Sequence, residues 1–196
     1  MKEYPCYYMP KGDYDIQISF EPPKQIYFTR VGTILFFRDA GEIKFIMPID
    51  STFGSICDFG GKTNKGELWY DAVRREFNEE SYGLLEYGKK SLYIWTYKSL
   101  ICFNEISIPD KSVIKKVEDE YLIRSINAPK HLKETKSLCI LNKDDFVLRI
   151  REYDNSIWMF LRDLFGNIIN ELDSYINMIQ KNIVNTKSSS NSEFDY

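Results

Sequence analysis

Residues 60–83 read GGKTNKGELWYDAVRREFNEESYG, and they restrict how this chain can fold more than any other stretch. Paired glycines open a loop, and a segment carrying Glu67, Glu76, Glu79 and Glu80 follows it. Trp69, Ala72, Val73 and Phe77 recur at helical spacing, which predicts a helix over 68–82 with one apolar face. Glu76, Glu79 and Glu80 then stand at i, i+3 and i+4 and share one patch of its surface. Like charges so placed repel by about 0.2–0.5 kcal/mol per exposed pair. Only Arg74 and Arg75 lie within the helix to offset them.

Three carboxylates that converge on one point suit a hard divalent cation, which takes oxygen ligands. The loop Gly60–Gly66 lets backbone groups approach a ligand closely, and its Lys62 and Lys65 are placed to meet phosphate oxygens. Cation, carboxylates and loop together point to attack by an activated water on a phosphoryl group. The alternative is an ordinary acidic helix face.

The remaining pattern alternates strands with helices, which implies an α/β or α+β layered domain. A strand is expected at 15–20, then another over 26–38 (IYFTRVGTILFFR). A turn at 39–42 leads to a strand at 43–49, and the two strands should pair as a hairpin. SICDFGG at 55–61 reads as a short strand ending in its glycines. One or two strands are expected over 91–108, a helix over 112–126 and a strand at 136–141. The helix over 112–126 should present Val113, Val117, Tyr121 and either Leu122 or Ile126 on one side. A short helix at 144–150 precedes a long amphipathic helix. Asn155 or Ser156 should cap it, and its apolar face should run from Trp158 to Ile179. Residues 1–25 look like an irregular lead-in, 26–183 the domain, and 184–196 a polar, disordered tail.

A chain of 196 residues with 43% apolar and 28% charged residues supports one core of good size. No apolar run approaches the roughly 20 residues of a membrane span, and the N-terminus lacks the apolar stretch of a signal peptide. Cys6, Cys57, Cys102 and Cys139 are scattered, which argues against a zinc site and a disulfide framework and for a reducing, cytoplasmic setting. His131 stands alone, so a multi-histidine metal site within one chain is excluded. The net charge of −3 carries no overall nucleic-acid signature. Locally, however, Lys111, Lys115, Lys116, Arg124, Lys130, Lys133 and Lys136 outnumber Glu118, Asp119, Glu120 and Glu134. That stretch is either a solvated helix face or a track for an RNA backbone.

Residues 61–83 resemble a Nudix box. Its pattern is Gly, five residues, Glu, seven residues, Arg-Glu, a bulky apolar residue, any residue, Glu-Glu, any residue and Gly. Gly61, Glu67, Arg75-Glu76, Phe77 and Glu79-Glu80 keep that spacing. The closing glycine departs from it: Tyr82 holds its place and Gly83 follows, so the helix should run slightly longer.

The resemblance implies an α/β/α sandwich with a mixed sheet, an extra helical insertion and a long C-terminal helix. It also implies hydrolysis of a nucleoside diphosphate linked to another moiety, with Mg²⁺ or Mn²⁺. By the same resemblance Glu76, Glu79 and Glu80 bind metal with help from the Gly61 carbonyl, Arg75 braces loop to helix, and Glu67 supports the cluster. The general base is left open among Glu79, Glu80 and the other motif glutamates, and Glu118, Asp119, Glu120 and Glu134.

For the substrate, a nucleotide-containing molecule, three readings stand. They are the 5′ cap of mRNA, small nucleotides, and diphosphoinositol or dinucleoside polyphosphates. The basic insertion favours the cap, as does similarity to decapping-type members from large DNA viruses. A catalytically silent nucleotide- or RNA-binding module is the reading of another class.

Overall fold

Alternation of side chains along the strands builds a three-layer molecule. The computed structural model describes residues 16–22, 24–88, 91–96, 98–107 and 111–179. Most of the expected lead-in and the whole tail at 184–196 lie outside the described residues.

The strands are β1 (Gln17–Ser19), β2 (Arg30–Asp39), β3 (Glu42–Asp50), β4 (Phe59–Lys62), β5 (Ser91–Trp95), β6 (Ser99–Glu105) and β7 (Thr135–Asn142). They form one mixed sheet in the order β1-β5-β6-β2-β3-β7, with β4 paired to β2. β2 runs parallel to β6, and the other pairs are antiparallel. Arg30–Thr33 of β2 pair with β4, whereas Leu35–Asp39 pair with β3. β3 and β4 therefore follow one another along a single edge of β2, and the sheet splits where they part.

In β2, Val31, Leu35 and Phe37 face one side while Ile34 and Phe36 face the other, as a period of two requires. The first side packs on α1 (Trp69–Glu80) and α2 (Lys111–Asn127). The second packs on α3 (Lys143–Arg151), α4 (Met159–Gly166) and a helical stretch over 172–179. The fold is thus an α/β/α sandwich.

The hairpin forms where expected, with Ala40 and Gly41 at φ 52° and 89°. Both central residues of its two-residue turn have positive φ, which matches the twist of the flanking strands.

Four expectations need correction. Residues 26–29 are not strand: the Thr29 and Arg30 amides both donate to the Lys98 carbonyl, and pairing in the sheet starts at Arg30. Gly60 and Gly61 lie inside β4 rather than ending it. On α2, Tyr121 is fully buried but Leu122 and Ile126 are exposed. Ser125 takes the next inward place because its hydroxyl donates to the Lys136 carbonyl of β7. The long C-terminal helix is broken, and neither Asn155 nor Ser156 caps it. The Ser156 carbonyl and the Trp158 amide are bonded to Ile56, which keeps 157–158 extended and delays α4 to Met159. α4 then stops at Gly166, and a short 3₁₀ turn at Ile169–Glu171 precedes the last helical stretch.

Among the described residues no helix is long and apolar enough to cross a membrane. Cys57, Cys102 and Cys139 are free thiols.

Candidate metal and phosphate site

The carboxylates of α1 meet β4 because Trp69, Ala72, Val73 and Phe77 bury the adjoining face of the helix. Phe77 sets its ring edge-on to Phe59 of β4 at 5.5 Å. This packing fixes the helix over the paired glycines. The Gly60 amide donates to Glu80 Oε2 at 2.6 Å. A Cβ at Gly61 would stand 2.5 Å from Glu76 Oε2, so the glycine lets that carboxylate lie where it does, and a side chain there would displace it. Gly32 makes room in the same way for Asp58, whose Oδ2 lies 1.5 Å from where a Gly32 Cβ would be, whereas a Cβ at Gly60 would meet the β2 backbone, the Val31 carbonyl oxygen at 2.3 Å.

Arg75 organises the cluster. Its Nε and Nη2 donate to the two Glu67 oxygens at 2.8 and 2.9 Å. Nη1 donates to Glu76 at 2.7 Å and to Glu79 at 3.3 Å, and Nη2 also reaches the Lys62 carbonyl at 3.0 Å. Glu67 further accepts from the Asn64 amide, which closes the loop onto the helix. The Arg75 hydrogen bonds hold the Glu67 carboxyl below its usual range and keep the guanidinium firmly protonated.

Glu76 and Glu80 are each only 7% exposed. Burial pushes both carboxyls up, Glu80 strongly, with the Asp58 charge adding to it and the Gly60 amide and Arg30 opposing. Glu79 is the open member, its side chain 41% exposed.

Among the described residues no three carboxylate, imidazole or thiolate side chains stand ready as a coordination cluster. Arg75 takes up oxygens of Glu67, Glu76 and Glu79. The donor set nevertheless fits Mg²⁺ or Mn²⁺. It offers oxygen only, and the two buried carboxylates are offset by the Arg75 guanidinium at Glu76 and by the Gly60 amide and the Arg30 charge at Glu80, which still leaves both carboxyls shifted up and their charge costly without a further cation.

Lys62 and Lys65 are exposed at the end of β4 and in the following turn. By strand alternation the Lys62 side chain shares its face with Asp58 and Gly60 rather than with Gly61. Of the distant candidate bases, Asp119 pairs with Lys115 and Glu120 with Arg124 on α2. Glu134, just before β7, adds its field to both Glu76 and Glu80. The Ser51 amide anchors its carbonyl. The side chain of His131 lies outside the described residues.

Sequence reasoning missed two parts of this site. Arg30 grips Asp58 through two bonds of 2.9 and 2.7 Å and stacks on Trp158 and Phe160, 4.6 and 4.9 Å from their ring centres. The signal was the glycine within β2, Gly32, that the Asp58 carboxylate requires.

The second part is the end of α1. The helix is not lengthened: it stops at Glu80, and Tyr82 itself turns left-handed at φ 52°, ahead of Gly83 at 66°. The Tyr82 and Gly83 amides close back onto Glu79 and Asn78, the arrangement a glycine usually makes at a helix end. Tyr82 is held in that conformation from outside. Its hydroxyl lies 2.9 Å from the Thr135 carbonyl and 3.2 Å from that of Leu132. Its ring meets Tyr121 at 5.0 Å, and Arg124 donates to its carbonyl at 2.9 Å.

No protein-family model matches this chain, and no curated protein matches it. Several solved structures are similar to it. A C. elegans Ap4A hydrolase in a binary complex shares 16% identity over 74% of this chain and 100% of its own, with a TM-score of 0.42. A NUDIX family hydrolase from Clostridium perfringens shares 13% over 73% and 96%, with a TM-score of 0.39. A mutT/nudix family protein from Listeria innocua shares 12% over 76% and 98%, with a TM-score of 0.40.

Proposed function

We propose that this chain is a metal-dependent hydrolase of Nudix type, cleaving a diphosphate linkage in a nucleoside diphosphate joined to another moiety. The observation that carries this reading is the burial of Glu76 and Glu80 against the β4 glycines, on a helix that keeps the box spacing up to its last position. Glu76, Glu79 and Glu80 would hold Mg²⁺ or Mn²⁺ with the Gly61 backbone. The cation supplies positive charge against which phosphate oxygens are placed. Arg75 keeps the carboxylates in register, Lys65 meets the outer phosphates, and of the distant candidate bases Glu134 is the one whose charge acts on both buried carboxylates.

The test is hydrolysis of a panel of nucleoside diphosphate derivatives with chelator, Mg²⁺ or Mn²⁺, in wild type and Glu79→Gln. Activity should vanish in chelator, return with metal and fall by about 10²-fold or more in the variant. Metal binding without turnover on the panel would make this a binding module instead.

Within this class, the cap of mRNA is the substrate the basic stretch supports. In the fold Lys115 pairs with Asp119, Arg124 with Glu120, and Lys133 donates to the Ile126 carbonyl. Lys116, Lys130 and Lys136 are exposed. Changing these three to Gln should weaken capped-RNA binding and flatten its salt dependence, by about 0.7 in slope for each phosphate no longer neutralised. Equal cleavage of capped RNA and free cap dinucleotide, untouched by the changes, would move the reading to small nucleotides.

A further inference from the structure

An open groove of about 550 Å³ runs between the end of α1 and the end of α2. Glu79 stands on one wall, with Tyr82, Arg124, Asn127, Pro129 and Leu132 around it. Its volume lies within the range of small-molecule sites, about 300–1,000 Å³. The groove is built rather than incidental. The left-handed Tyr82 forms its wall, the Arg124 bond to the Tyr82 carbonyl joins its two sides, Glu120 holds the same guanidinium along α2, and Asn127 is tied to the Ile123 carbonyl.

We infer that this groove is the subsite for the nucleobase-bearing part of the substrate whose phosphates lie at Glu79, an inference that rests on the proposed hydrolase reading. Two observations select that chemistry. Tyr82, Pro129 and Leu132 offer apolar surface suited to the face of a flat ring, while Asn127 and Arg124 offer polar groups suited to its edge. Among the described residues the groove is lined by one basic side chain, already bonded twice, where an inositol polyphosphate would need several to meet its charge. The phosphate chain and the base would thus lie on either side of Glu79.

The experiment is titration of the full chain in chelator with adenosine, guanosine, cytidine and uridine, up to their solubility. Binding is followed by amide chemical shifts, in wild type, Leu132→Glu and Arg124→Ala, each checked for an intact fold by its spectrum. Chelator removes the metal, so the result does not depend on catalysis. At least one nucleoside should shift the groove residues in wild type, and a folded variant should bind it about tenfold more weakly. Two variants are used so that one misfolded protein leaves the test intact. Shifts that fall elsewhere, no shifts at all, or unchanged affinity in a folded variant overturn the inference. Groove binding without hydrolysis of any nucleotide would overturn the hydrolase reading and leave the groove assignment standing. Hydrolysis with nucleosides bound elsewhere would do the reverse.

Discussion

Arg75 shows how one side chain can hold a charged site together before any ligand arrives. Five of its hydrogen bonds reach Glu67, Glu76, Glu79 and the Lys62 carbonyl, so helix and loop meet through one guanidinium. Removing it leaves Glu67 and Glu76 as half-compensated charges with little exposure. Breaking a fully buried pair costs about 3–5 kcal/mol, and the partial exposure of Arg75 lowers this. Arg75→Ala should therefore lose about 2–3 kcal/mol by denaturant titration, together with its activity. A variant with lost rate and unchanged stability would show that Arg75 meets substrate rather than bracing the loop.

At the scale of the element, the end of α1 is decided by its neighbours. A non-glycine residue in the left-handed region costs about 1–2 kcal/mol. Tyr82 remains there because α2 and β7 surround it. The Tyr121 hydroxyl donates to the Glu80 carbonyl at 2.5 Å and accepts from Thr135. Tyr82→Gly would relieve the backbone but lose a half-buried ring and its hydroxyl bonds. The ring and bonds outweigh the strain, so the variant should be less stable by about 1–2 kcal/mol net. It should also lose the wall of the groove beside Glu79. A stabilised Tyr82→Gly, measured by thermal melting, would mean that the packing on α2 and β7 contributes little. The α2 helix is thus more than a charged insertion, since it helps set where α1 ends.

For the whole molecule, the carboxylates place a local cost within a stable sandwich. A cation that binds only the folded chain adds stability by mass action, about 2.7 kcal/mol at a hundred times its dissociation constant. For a chain of this size that corresponds to a rise of roughly 5–10 °C in melting temperature with Mn²⁺. Glu80→Gln removes a buried charge while keeping an oxygen to accept from Gly60. In chelator this variant should melt above wild type, and added Mn²⁺ should shift it far less. Equal metal-induced shifts in both proteins would place the cation away from Glu80.

The amino-acid order alone determined the box spacing from Gly61 to Glu80, the shared face of Glu76, Glu79 and Glu80, the hairpin around Ala40–Gly41 and the layered class. Each follows from short-range periodicity or from residues adjacent in the chain, which a single sequence displays directly. Tertiary packing decided the rest. Asp58 needs Gly32 of β2, and 157–158 stays extended because Ile56 bonds it. Tyr82 can hold a glycine's conformation because Thr135, Leu132 and Arg124, distant in the chain, supply its hydrogen-bond partners. Local propensity would have ended the helix at Gly83, and packing against α2 and β7 outweighed it.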